Sequence, residues 1–198
     1  KNVTIANGSF LRVYGGDGTG LTPYRIADIF GLQGIGSLGM GNHYVLAGDI
    51  DASGTVSWNQ NAGFAAIAGG DGAGYAGTFD GAGHVISGLQ INAATSSATA
   101  GVGLFGKVEG GIVRNVVLQG GSVAGRQNVG ALVGMNLGGT LDNVSSSATV
   151  TGGRAVGGLA GLNAGIVSNA GASGYVTGFN VDNGGNIGGL VGENQAGA

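Results

Sequence analysis

The sequence predicts an all-β chain: a parallel β-helix, or solenoid, with coils of about 27 residues and a short helix near residues 26–36. Three observations carry this prediction. Leu104, Leu132, Leu159 and Leu190 recur at spacings of 28, 27 and 31 residues. Each is followed two residues later by a glycine (Gly106, Gly134, Gly161, Gly192), and the last three glycines are followed two further on by Asn136, Asn163 and Asn194. Asn115, Asn143 and Asn169 repeat with the same period, preceded two positions earlier by Val113, Leu141 or Val167. Val123, Val150 and Val176 form a third set, each with glycine two residues on. Glycine richness alone would not also set leucine and asparagine on one period.

Each unit holds three short apolar runs, bounded by Gly, Asn or Ser, which read as strands rather than helices. Three strands in a unit of that length suit one coil, stacked on the next at the inter-strand spacing of ~4.8 Å. Such a coil must bend sharply about three times. Glycine reaches positive φ without steric cost and lets backbones approach closely. Asparagine also tolerates the left-handed region, and identical asparagines on successive coils can hydrogen-bond as a ladder.

In chain order, KNVTIA can open a strand. LTPYRIADIFGLQGIGS places Ile26, Ile29, Phe30 and Ile35 near helical spacing, and a helix there can cover the open edge of a solenoid. YVLAGDIDAS (44–53) alternates as a strand, and GYAGTFDGAGHVISGLQI (74–91) reads as strand, Asp-Gly turn, strand. One continuous domain over 1–198 is expected, with irregular N-terminal coils over 1–101 and regular repeats over 102–198. IGGLVGENQAGA opens a further unit and stops after twelve residues. The expectation is a fragment of a longer protein whose coils continue past Ala198, with a last coil that frays or pairs with another edge.

Composition narrows the function classes. Forty-eight glycines with one proline exclude collagen, and a 42% hydrophobic content argues against simple disorder. Charged residues are only 9% of the chain, so Ser, Thr, Asn, Gln and Gly must make the surface. The net charge of −3 without a Lys/Arg cluster argues against nucleic acid and anionic membrane as partners. No apolar run approaches the ~20 residues of a membrane span, so no membrane insertion is expected. Cysteine is absent, which rules out disulfides and thiolate metal sites.

Taken together, YRIADIFGLQGIG, NHYVLAGDIDAS, GFAAIAG, YAGTFDGAGHVISGLQIN, GVGLFGKVEGGIVRNVVL and the VGGLxGxN units resemble the GLUG-type repeat region of large secreted bacterial proteins. Such regions occur in filamentous-haemagglutinin-like adhesins exported by the two-partner route. The resemblance covers roughly residues 24–198. It implies a right-handed parallel β-helix, secreted or at the cell surface, acting as adhesin stalk or binding segment. The partners it implies are a host receptor or polysaccharide, and an outer-membrane transporter during export.

Enzymes also occur on β-helices, so a polysaccharide lyase or glycoside hydrolase is the rival reading. Those reactions need carboxylates converging on one face, with a basic residue to hold an acidic sugar or move a proton. Asp49 and Asp51, at i and i+2 of a strand, point to one face and could form an acid/base pair, bind a cation or a ligand, or simply cap a turn. FDGAGHVI resembles a DGxGxxI stretch that is structural in β-helix glycosidases, which makes His84 a turn residue. His43 sits in no recognised motif, and the GGDG stretches at 15–18 and 69–72 read as turns. No catalytic residue, metal ligand or cofactor is assigned. Binding needs less machinery: sugars dock on exposed aromatics beside Asn, Asp and Arg. Trp58 and Asn59 in the polar stretch SWNQN are the first candidates, with Tyr75 and Arg126 behind them. A purely mechanical spacer is the third reading.

Overall fold

The computed structural model describes residues 10–94, 101–179 and 185–195. The proposed opening strand at KNVTIA lies outside them. The chain is a parallel β-solenoid of about four turns, with coils of about 28 residues. Every ladder between strands is parallel and links successive coils. One face is a ten-stranded sheet whose central members are Ile112–Gln119, Val133–Ser146 and Ala160–Ala172. A second stack holds Gln127–Gly130, Arg154–Gly157 and Ile187–Gly188. The third runs from Gln90–Asn92 through Ser122–Ala124 and Thr149–Gly152 to Val176–Gly178.

The repeat sets become columns in the core. Leu104, Leu132 and Leu159 are fully buried above one another, as are Val113 with Leu141 and Val123 with Val150. The same columns thin out in the last coil, where Leu190, Val167 and Val176 are only partly buried and Ile187 and Tyr175 are exposed. Asn136 donates through Nδ2 to Asn163 Oδ1 at 2.7 Å, and Asn163 donates to Asn194 Oδ1 at 2.8 Å. The expected ladder therefore runs inside the stack, with Asn136 and Asn163 buried. It starts at Asn136 because Val108 occupies the matching place one coil below, which leaves Asn136 Oδ1 buried without a partner.

The column glycines do a different job from the one their conformational freedom suggests. Gly134 and Gly161 do not adopt positive φ. A Cβ at Gly134 would overlap the backbone at Gly101 and Val102, and one at Gly161 the backbone at Asn128 and Val129. Close approach is what these positions require. The left-handed corner belongs instead to Asn115, Asn143 and Asn169, at φ 54°, 52° and 49°.

The first coils are wider and filled with aromatics. Tyr24 and Tyr44 lie 5.6 Å apart in adjacent coils, Tyr44 and Tyr75 6.4 Å, Tyr75 and Phe105 5.1 Å, and Phe79 and Phe105 5.3 Å. The helix is shorter than the sequence pattern suggests, at Ile29–Gly34, with a 3₁₀ turn over Ile35–Ser37. Ile26 closes a strand instead, and Asp28 caps the helix by accepting from Gly31 N–H at 2.9 Å. The helix bridges two parallel strands, Tyr24–Ile26 and Tyr44–Leu46, and so forms part of the first coil. The free edge of Tyr24–Ile26 is met by residues 14 and 15, through Tyr14 N–H to Arg25 O and Arg25 N–H to Gly15 O. The Asp-Gly turn at 80–81 is no hairpin: Thr78–Asp80 and Val85–Ser87 both pair in parallel with Ile112–Gln119. It is a corner of a coil.

Candidate functional site

An open groove of about 440 Å³ lies beside the irregular coils. The segment from Ala62 to Gly70, the strand Gln90–Asn92 and the start of the first regular coil at Gly101 and Val102 form its walls. Buried Phe64, Ile91 and Val102 supply its apolar lining, and Asn59, Asn92, Arg126 and Gln127 supply its polar groups. The volume falls within the range of small-ligand sites, and a mostly apolar lining with few polar groups is their usual chemistry. Among the described residues, Arg126 is the one charged residue lining it. Its side chain is exposed, while its carbonyl accepts from Gly153 N–H at 3.0 Å and Arg154 N–H at 3.1 Å, which anchors the backbone.

One wall of the groove continues into an aromatic ledge. Trp58 is half-buried against the core and stacks on Phe30, with ring centroids 5.4 Å apart and planes at 27°. Arg12 lies over Phe30 at 5.8 Å and is paired with Asp28 at 2.8 Å. Phe30 is 43% exposed, so the ledge shows a large apolar face beside the groove. Gln33 ties the helix to the groove wall by donating to Ala65 O and accepting from Ala65 N–H, each at 2.9 Å. Asn59, Gln60 and Asn61 all adopt positive φ, and Asn59 Nδ2 donates to Gly63 O at 2.7 Å, which holds this turn at the groove mouth.

The structure thus brings Asn59 and Arg126, distant in sequence, to one groove, while Trp58, next to Asn59, stacks on Phe30 outside its lining. Trp58 is both partly core and partly surface. Tyr75 does not belong with them. It is fully buried, its hydroxyl donates to Asn42 O at 2.9 Å, and burial followed by neighbouring Tyr44 pushes its pKa well above the ordinary phenol range. Its ring offers no face to a ligand. Phe30 was missed as a surface group because its spacing matches the apolar face of a helix.

Asp49 and Asp51 are both exposed, and each is held by local donors. Asp49 Oδ1 accepts from Val85 N–H at 3.0 Å and lies 3.1 Å from His84 Nδ1. The Val85 N–H first, then His84, hold its carboxyl below the ordinary range. Asp51 accepts from Ser53 N–H at 2.9 Å, and the Ser53 hydroxyl and then its N–H depress its carboxyl. The Asp49–His84 pair joins coils 35 residues apart, a juxtaposition the sequence does not display. Both depressed carboxyls favour the anion, which suits turn capping better than the raised pKa of a general acid. Among the described residues, no group of three or more His, Asp or Glu side chains is placed to hold a metal ion.

A second polar row runs up the outside of the regular coils. Asp80 accepts from Arg114 Nε at 2.8 Å and from Asn115 Nδ2 at 2.9 Å, and Asn143 donates to Asn115 Oδ1 at 2.8 Å. Asp142 accepts from Ser168 at 2.6 Å and from Asn169 at 2.9 Å. These groups satisfy one another between coils.

No family model matches the chain. In sequence it is similar to Halomucin of Haloquadratum walsbyi, 41% identical over 157 residues. That match covers 75% of this chain and 2% of Halomucin, so the chain spans a small part of that protein's length. In structure it is similar to a candidate immunoglobulin A1 protease from Bacteroides ovatus, with a TM-score of 0.65 and 24% identity. The likeness covers 93% of this chain and 65% of the other, just under two thirds of its length. It shows the shared fold alone.

Proposed function

We propose that the chain is a non-catalytic β-helix segment of a secreted or cell-surface adhesin that binds a carbohydrate or a receptor through the groove beside Trp58. The observation that carries this reading is the convergence of Asn59 with Arg126 and Gln127, from separate coils, on one open groove, with the Phe30–Trp58 stack adjoining it through Asn59. The likeness to Halomucin supports a place at or outside the cell surface. The GLUG-type, filamentous-haemagglutinin-like assignment and export through an outer-membrane transporter stay part of this proposal and rest on the repeat units. Binding of the purified chain to a glycan array and to whole cells tests it, with Trp58→Ala and Phe30→Ala as variants. Loss of signal in both variants, with the solenoid's circular dichroism retained, is the expected result. Signal that ignores both changes removes the ledge and its groove from the reading.

A second reading rests on the Asp49–His84 pair, which could serve acid/base chemistry on a polysaccharide. Incubation with acidic and neutral polysaccharides, following reducing ends and unsaturated products, decides it. Turnover abolished by Asp49→Asn would establish the enzyme; no turnover leaves the pair as a coil-to-coil tie.

A further inference from the structure

We propose that the groove takes an acidic saccharide, a sugar bearing a carboxylate or sulfate group, and that Arg126 is its anion-binding residue. This rests on the binding reading above and narrows its ligand. Three other basic side chains are neutralised, Arg12 by Asp28 at 2.8 Å, Arg114 by Asp80 at 2.8 Å and Lys107 by Glu109 at 3.8 Å, while Arg25, on the edge strand away from the groove, has no ion pair among the described residues. Arg126 makes no ion pair among the described residues, in a chain with more acidic than basic groups. Nor does Arg154, which sits opposite Gln127 on the next coil and adds a second cation at the same corner. Among the described residues, no carboxylate lines the groove. Arg126 is therefore a forked donor set with its natural partner missing.

The rest of the lining suits a sugar ring. Asn59 has its Nδ2 committed to Gly63 O, which leaves Oδ1 to accept from a hydroxyl. Gln127 makes no side-chain hydrogen bond within the described chain, and Asn92 uses only Oδ1, in a long 3.4 Å contact with Ala94 N–H. Ala62, Ala65, Ala66 and Ala93 line the groove and keep exposed surface, and they provide the apolar patch against which the C–H face of a pyranose packs. Two cations are too few for a polyphosphate backbone, which needs a stripe of them. One or two charged groups on an otherwise neutral, hydroxyl-rich ligand match what the groove presents.

The test uses the whole chain, ¹⁵N-labelled, titrated with an oligogalacturonate, a sulfated galactan oligosaccharide and a neutral cello-oligosaccharide. Amides of 63–70, 91–92 and 127 report the groove. Expected are shifts there with an acidic probe and a weakening of about 10-fold or more in Arg126→Gln, the range for a hydrogen bond to a charged group. Arg25→Gln, on the far edge strand, should leave affinity unchanged. Comparing the carboxylated and sulfated probes tells which anion is preferred. If the neutral probe shifts the same amides as strongly and Arg126→Gln binds as well as the parent, the acidic-sugar inference falls while the binding reading stands. If no probe moves the groove amides, both fall.

Discussion

Replacing Asn163 by Asp changes one atom type at the centre of the internal amide ladder. Asn163 is 3% exposed; its Oδ1 accepts from Asn136 at 2.7 Å and its Nδ2 donates to Gly165 O at 3.1 Å and to Asn194 Oδ1 at 2.8 Å. The aspartate keeps the acceptor but loses both donations and sets a charged oxygen against two acceptor oxygens. Two lost hydrogen bonds account for about 2 kcal/mol. An uncompensated buried charge adds roughly 3 kcal/mol or more, so the loss near pH 7 is about 5 kcal/mol. Because the buried anion is disfavoured, the variant's folded carboxyl titrates above its unfolded value of about 3.9. The charge penalty is therefore absent below about pH 4 and grows by about 1.4 kcal/mol per pH unit until the folded pKa is passed. Protonated, the side chain regains one donor, which leaves a loss of about 1–2 kcal/mol. Guanidinium unfolding followed by circular dichroism at about pH 4 and about pH 7 reads both numbers. An Asn163→Asp deficit that is no larger at the higher pH would refute the account. Asn143→Asp, on the exposed outer row, serves as the control and should cost less than about 1 kcal/mol at either pH.

Three further outcomes are expected. Gly134→Ala should destabilise by about 3 kcal/mol or more in thermal melts, because its methyl meets backbone at Gly101 and Val102 rather than a movable side chain. Gly110→Ala, at φ 73° with open space around its Cβ, should cost about 1–2 kcal/mol from backbone conformation alone. Stability should fall as pH drops below about 4, since the carboxyls of Asp49, Asp51, Asp80 and Asp142 all titrate lower in the fold than in the unfolded chain. At Asp80 burial works to raise the carboxyl, and the Asn115 amide, Ala82 N–H and Arg114 outweigh it, so Asp80→Asn should flatten part of that acid limb.

The regular coils were legible because their own repetition supplies the third dimension. Once Leu132 and Leu159 are one period apart, each residue's neighbour in the next coil follows, and the Asn136–Asn163–Asn194 ladder can be read directly from the chain. The first coils carry no such register. Nothing in their spacing puts His84 beside Asp49 or Phe30 on Trp58, because those contacts depend on coil lengths that vary. Tyr75 misled for the same reason: an aromatic near polar residues resembles a surface group until the wide coil it fills is known. The polar stretch SWNQN points to Asn59 and side-chain type to Arg126, and only the fold shows that they line one groove.

The internal amide ladder is one-way. Asn136 gives its N–H to Asn163 and Asn163 gives its own to Asn194, always toward the next coil, whereas the backbone bonds between coils alternate in direction. A directed row of this kind always leaves one idle acceptor at its start, and here that atom is Asn136 Oδ1, buried against a coil that offers valine. The penalty belongs to the end of the row, so it is incurred once, while every added rung contributes a fresh bond. Short rows are therefore disfavoured per rung relative to long ones. Such an array gains in proportion to its length and loses only at its boundary, the arithmetic that makes duplication of whole coils a low-risk step in the growth of a sequence.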